Sequence, residues 1–212
     1  MAKYVVSICF AISILFVINS SCCAGIRESE LSMSLNTIEK ELNEFRPNPV
    51  FKEDPIALMV VRQALISIKE GSFGIGACLI DEKDGKTIVA GHNELLLPYF
   101  RSDKHAEMAV MNKYEDQIKG TNPKTEGLTL YSSLEPCPMC TIRLLSANVK
   151  KVRYVSADID GGFVHHMDEL PPYWKNQTFD KDYKELQCSP QLKRIAYKLL
   201  NISLALYGDR LK

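Results

Sequence analysis

The 212 residues carry no excess charge of either sign, since 26 Lys+Arg stand against 26 Asp+Glu. Without a positive surplus there is no overall field to draw in a polyanion, which argues against RNA or DNA as the substrate and leaves only a local basic patch open. Cysteine is also sparse. Its seven positions (9, 22, 23, 78, 137, 140 and 188) follow no framework like that of a disulfide-stapled small domain. No apolar run reaches the roughly 20 residues that a spanning helix needs. The longest is the uncharged stretch from Tyr4 to Ile18, so no integral membrane segment is expected in the mature chain. Internal repeats and low-complexity tracts are missing as well. At 46% hydrophobic and 25% charged, the composition is globular and excludes general disorder.

The N-terminus has a character of its own. Lys3 precedes the apolar run, and Asn19-Ser20-Ser21-Cys22-Cys23-Ala24 follows it, which is the order of a basic region, an apolar core and a small-residue cleavage site. Residues 1–24 are therefore expected to be a signal peptide, cut after Ala24, that exports the protein to the periplasm or the medium. An uncleaved anchor and a lipidated Cys22 are the rival readings. The remainder keeps 25 basic against 26 acidic residues, because only Lys3 is lost among the charges.

Leu31, Leu35, Ile38, Leu42 and Phe45 step by four and three, which predicts a packing helix ended by Pro47 and Pro49. Residues 25–53 are thus expected as an N-terminal helical extension, ahead of a main domain at 54–212. Asp54-Pro55 looks like an N-cap followed by a first-turn proline, opening a second helix that runs to Gly71. Two apolar runs, 75–81 and 86–92, flank Glu82-Lys83-Asp84-Gly85 and predict a hairpin. Helical composition at 106–114 and 139–149 alternates with strand-like runs at 128–132 and 152–156. Leu192, Ile195, Leu199, Ile202 and Leu206 close the chain with an amphipathic helix. This alternation predicts an α/β fold, a three-layer α/β/α sandwich with a mixed central sheet.

Chemistry concentrates in His105-Ala106-Glu107 and Pro136-Cys137-Pro138-Met139-Cys140. Two cysteines three apart share one face of a helix, and the first turn favours thiolates through its free N–H groups and dipole. Such a pair suits a soft or borderline metal. A catalytic Zn2+ usually keeps three protein ligands and one open position, and His105 supplies the third. Glu107 is placed near the metal without having to bind it, as a proton shuttle would be. A structural zinc site would want a fourth ligand, yet Cys78 and Cys188 stand alone. A redox pair would leave His105-Ala106-Glu107 without a role. Cys78 reads as a small buried hydrophobe, and His165-His166 as a solvent-facing pair in a polar loop.

The His-x-Glu and Pro-Cys-x-x-Cys elements resemble the signature of the zinc-dependent cytidine/deoxycytidylate deaminase superfamily, in the branch with cytosine deaminase, guanine deaminase and tRNA adenosine deaminase. Gly74-Ile75-Gly76-Ala77-Cys78-Leu79-Ile80 and Gly91-His92-Asn93 look like the first hairpin of the cytosine type, whereas Ser133-Leu134-Glu135-Pro136-Cys137 is closer to the tRNA adenosine and guanine types. The resemblance covers about Asp54 to Asp158. It implies that His105, Cys137 and Cys140 hold Zn2+ and that Glu107 is catalytic. An activated water would attack the ring carbon bearing the exocyclic amine, Glu107 would protonate the adjacent ring nitrogen and then the departing amine, and ammonia would leave. The resemblance also implies Asn93 as a substrate-binding amide and a homodimer as the assembly. Asp158, read as the end of the fourth strand, is a further substrate-binding candidate. Phe163, Tyr173 and Trp174 lie where the family carries a variable lid, with core packing as the equal alternative.

The expectation is a hydrolytic deaminase of a small nucleobase or nucleoside, of the cytosine or guanine type. Adenosine in tRNA is the alternative substrate. A catalytically silent zinc-stabilised secreted binding domain is the alternative of a different class, which the presence of Glu107 disfavours.

Overall fold

The three-and-four stepping of Leu31 to Phe45 forms a helix, α1, over 29–44 in the computed structural model, which describes residues 29–120 and 124–211. The expected signal segment, 1–24, lies outside the described residues. Two compact units divide the chain, Met1–Glu41 and Leu42–Lys212, and the second holds the sheet and every candidate site residue.

Helix α2 spans Asp54–Glu70 and ends at Gly71 in the left-handed conformation. Asp54 departs from its expected role, because Glu53 occupies the N-cap position and Asp54 is the first helical residue. Its carboxylate is drawn instead to donors distant in sequence. It accepts from the Asn48 N–H at 2.9 Å, the Ser189 N–H at 2.7 Å and the Ser189 hydroxyl at 2.6 Å. Ser189 immediately precedes α6 (Pro190–Tyr207), so one fully buried carboxylate joins two helix starts, where the helix dipoles favour negative charge. Asp54→Ala would leave the Ser189 donors unpaired in the interior, at a cost of about 3 kcal/mol. A thermal melt should then show the midpoint lowered by about 6–12 °C.

The hairpin forms as read, from β1 (Gly76–Asp81) and β2 (Thr87–His92) paired antiparallel. Gly85 closes the turn at φ 70°, a conformation that costs glycine nothing, and its N–H donates to the Asp81 carbonyl at 2.8 Å. Helix α3 covers Ala106–Ile118, β3 Leu128–Leu134, α4 Pro138–Ser146 and β4 Lys151–Ser156. β3 runs antiparallel to β1 and parallel to β4, and β5 (Asp182–Glu185) adds parallel to β4, giving the mixed order β2-β1-β3-β4-β5. On one face, Ala77, Leu79, Leu130 and Val152 join Val110 of α3 and Leu144 of α4 in one buried cluster. On the other, α2 packs with α6 across the sheet, burying Val60, Ala64, Ile68, Leu192, Ile195 and Leu199. The architecture is therefore a three-layer α/β/α sandwich. α2 lies so close to β1 that a Cβ on Gly76 would sit 2.2 Å from the Val60 carbonyl oxygen.

Among the described residues, four short elements have no counterpart in the sequence reading: β5, 3₁₀ helices at Val164–Glu169 and Gly208–Leu211, and α5 (Pro172–Asn176). In β5 only Tyr183 is apolar. Its ring is buried and its hydroxyl donates to the Val149 carbonyl at 2.8 Å, while the flanking charges mark an edge strand. Asp158 is also placed differently, two residues past the end of β4, in the turn that follows.

Candidate metal centre and active site

Two helix starts meet beside β3. His105 is the N-cap residue of α3 and Cys137 that of α4, both extended in backbone, so that each side chain leaves its helix at the end where N–H groups are free. Cys140 follows one turn into α4 and is fully buried. The His105 Nδ1 and Cys137 Sγ atoms are 3.6 Å apart, and one ligand atom from each of His105, Cys137 and Cys140 falls within 4.8 Å of the others. In tetrahedral zinc, with Zn–N of about 2.05 Å and Zn–S of about 2.3 Å, an N···S edge is about 3.6 Å. The donor set, with two sulfurs and one imidazole and no fourth protein ligand among the described residues, fits Zn2+ with one position open to substrate chemistry.

The local electrostatics agree. Hydrogen bonding from Cys140 and the His105 imidazole beside it hold the Cys137 thiol down to about 4, while Cys140, which keeps the proton between the two sulfurs, is pushed up. The His105 imidazole is raised by its contact with Cys137. The cluster thus already carries thiolate character before any metal is considered, as a soft-metal site requires.

Glu107 lies two residues past His105, in the first turn of α3, and is 4% exposed. Its Oε2 accepts from Cys140 Sγ at 3.4 Å and its Oε1 from the Ser132 hydroxyl at 3.3 Å. Burial pushes its carboxyl above the ordinary range. Ser132 escaped the sequence reading, although it is the one polar residue on the β3 face shared by Leu128, Leu130 and Leu134. A hydroxyl in a period-two apolar row was the available signal.

Of the two roles considered for Asn93, its hydrogen bonds show the turn role. Its Oδ1 accepts from Ser72 Oγ at 2.8 Å and from the Leu95 N–H at 3.0 Å, a turn contact, and its carbonyl accepts from Ser67 Oγ at 2.7 Å. With Oδ1 engaged, the Nδ2 donors are the part of this buried side chain left for a ligand. Asp158 Oδ1 accepts from the Gly161 N–H at 3.1 Å, which closes the turn after β4. Phe163 and Trp174 pack against the main core cluster, while Tyr173 is exposed. Cys78 is fully buried in β1, as a small hydrophobe would be. His165 is not simply solvent-facing, because its Nδ1 lies 2.6 Å from Oε1 of the buried Glu135.

A family model described as the cytidine and deoxycytidylate deaminase zinc-binding region matches residues 53–156. The tRNA-specific adenosine deaminase of Bacillus subtilis is 37% identical over 102 residues, which is 48% of this chain and 60% of that protein. The chain thus spans less than two thirds of that relative. The tRNA-specific adenosine deaminase of Aquifex aeolicus is 29% identical over 147 residues, 67% of this chain and 91% of that protein. Among solved structures, a guanine deaminase from Nitrosomonas europaea superposes with a TM-score of 0.57 at 16% identity, covering 76% of this chain and 91% of its own, a likeness of fold alone. Because the matched region runs from the start of α2 to the end of β4, and so includes both helix starts that carry the metal-binding residues, residues 53–156 belong to the zinc-binding region of the cytidine and deoxycytidylate deaminase family.

Proposed function

We propose that this protein hydrolytically deaminates a free amino-bearing nucleobase or its nucleoside, of the cytosine or guanine type, and releases ammonia. The observation that carries the reading is Glu107, a carboxylate buried against Cys140 and Ser132 beside the three metal-binding side chains. A zinc-stabilised domain with no catalysis has no use for such a group, since a buried carboxylate is costly and adds nothing to the ligand set. His105, Cys137 and Cys140 would hold zinc, which when bound would supply the Lewis acidity that makes water a nucleophile near neutral pH. Glu107 takes the proton released by that water on a carboxylate oxygen. It passes the proton to the ring nitrogen next to the carbon under attack, then takes the proton of the newly added hydroxyl and delivers it to the amine, so that the C–N bond breaks as the C=O bond forms and ammonia leaves. Ser132 holds Oε1 and so fixes which oxygen faces the substrate. Asn93, through Nδ2, donates to an acceptor on the base.

The balanced charge supports a small substrate over a polynucleotide, as does the export signal read at residues 1–24. The second reading, adenosine in tRNA, is favoured by the names of the two bacterial relatives. Ammonia release measured across cytosine, guanine, adenine, their nucleosides and a tRNA transcript separates the two. Turnover of a free base or nucleoside is the expected result, and activity confined to the transcript would overturn the small-substrate reading.

Export and homodimer formation belong to the same proposal. The first rests on Lys3, the apolar run and the small residues ending at Ala24, and N-terminal sequencing of the mature protein should begin at Gly25. The second rests on the family resemblance, and sedimentation in solution tests it.

A further inference from the structure

The two residues that lead into Cys137 gather hydrogen bonds from a segment far along the chain. The Glu135 N–H donates to the Ser156 carbonyl at 2.9 Å, at the end of β4. The Glu135 carboxylate, with its side chain wholly buried, accepts from the Asp158 N–H at 3.2 Å on Oε2. On Oε1 it accepts from the His165 N–H at 3.1 Å and the His165 ring at 2.6 Å. The next carbonyl, that of Pro136, accepts from the Phe163 N–H at 2.9 Å and from Thr141 Oγ1 at 3.3 Å. Gly162 closes the arrangement from one side. A Cβ there would meet Glu135 Cδ at 2.6 Å and Oε2 at 2.7 Å, so the carboxylate lies against a backbone that has no room for a side chain.

A buried carboxylate satisfied by three donors holds its neighbours more firmly than a neutral acceptor would, because each bond is charge-assisted and the low dielectric magnifies it. The donors come from the turn after β4 and from the 3₁₀ helix, and the chain continues from Glu135 through one proline to a metal-binding sulfur. We propose that Glu135 is a positioning residue that ties the 158–165 segment to the Cys137 turn and so sets the place of Cys137 Sγ at the metal centre. The proposal rests on the deaminase reading only for its effect on turnover. Its effect on the metal site stands apart from any substrate.

Glutamine at 135 offers one carbonyl oxygen where the carboxylate offers two, and its amide N–H₂ would face donors. The test loads wild type, Glu135→Gln, Gly162→Ala and Asp54→Asn with cobalt(II) in place of zinc and records the ligand-field and thiolate charge-transfer bands. Thermal midpoints and the rate of cobalt loss to a chelator are measured alongside. Asp54→Asn is the control, since it weakens a buried carboxylate clasp between α2 and α6 rather than at the metal centre. Glu135→Gln and Gly162→Ala are expected to shift the bands and to speed metal loss by about 10- to 100-fold, with kcat/KM reduced in the same range, whereas Asp54→Asn lowers the midpoint and leaves the bands unchanged. Glu135→Asp, which keeps the charge, should recover part of the loss. Unshifted bands and wild-type metal release in both Glu135→Gln and Gly162→Ala would overturn the proposal, as would the same changes in Asp54→Asn at an equal loss of midpoint. If wild type turns over no base at all, the functional reading fails while the cobalt result still decides this one.

Discussion

Glu107→Gln is expected to lower kcat by about 10⁴-fold or more while zinc stays at one per chain. Positioned acid–base groups contribute about 10² to 10⁴ in rate, and a carboxylate that handles a proton at several points of one cycle belongs at the upper end. Glutamine matches the shape: its one carbonyl oxygen can still accept from the Ser132 hydroxyl, and its amide N–H₂ can donate to the Cys140 sulfur once that is a thiolate, so the packing around α3 has little reason to change. It cannot carry a proton from water to a ring nitrogen. The stability effect should run the other way. Burial raises the Glu107 carboxyl above its unfolded value, so ionising it in the folded, metal-free protein opposes folding, increasingly as pH rises through its unfolded value. Removing that charge should leave the metal-free melting temperature at neutral pH unchanged or higher. Loss of turnover with no loss of stability is what a functional, strained group looks like. Steady-state ammonia release and a melt of the metal-free protein check both halves. Activity of Glu107→Gln within tenfold of wild type would exclude Glu107 as the shuttle.

The layers of the fold were legible where one physical signal dominated. The three-and-four stepping of Leu192 to Leu206 and the Asp-Gly turn between two apolar runs each depend on neighbours in sequence, and the helix and hairpin form there. Asp54 was misread for the complementary reason. Its residue type fits an N-cap, but the donors that claim its carboxylate sit at Asn48 and at Ser189, 135 positions away, and no local pattern announces them. β5 failed likewise, since Asp182-Tyr183-Lys184-Glu185 becomes a strand only because β4 offers an open edge and Tyr183 a buried slot. At the site, the metal-binding residues were readable because the requirements of zinc impose residue types and spacing. Ser132, which donates to Glu107, left only the faint mark of one hydroxyl in a period-two apolar row, and the donors to the Glu135 carboxylate, at Asp158 and His165, leave no local pattern at all.

Removing any one metal-binding side chain should empty the centre. With only three protein ligands there is no redundancy, and Cys137→Ala or His105→Ala leaves two donors whose affinity cannot hold zinc through purification. Zinc content is expected to fall from one per chain to about a tenth or less, with activity falling in proportion. Stability should follow, because metal that binds only the folded state contributes RT ln(1 + [L]/Kd), about 4 kcal/mol at a thousandfold excess over Kd, or roughly 8–16 °C in a chain of this size. Cys188→Ala separates this from a general effect of losing a buried thiol. Cys188 is as hidden as Cys140 but stands outside the cluster, so its variant should keep its zinc whatever small packing loss it suffers. Elemental analysis of the three purified variants beside wild type gives the answer directly. Full zinc occupancy in both Cys137→Ala and His105→Ala, or equal loss in Cys188→Ala, would mean that these side chains do not form the metal centre, and the proton relay assigned to Glu107 would lose its partner.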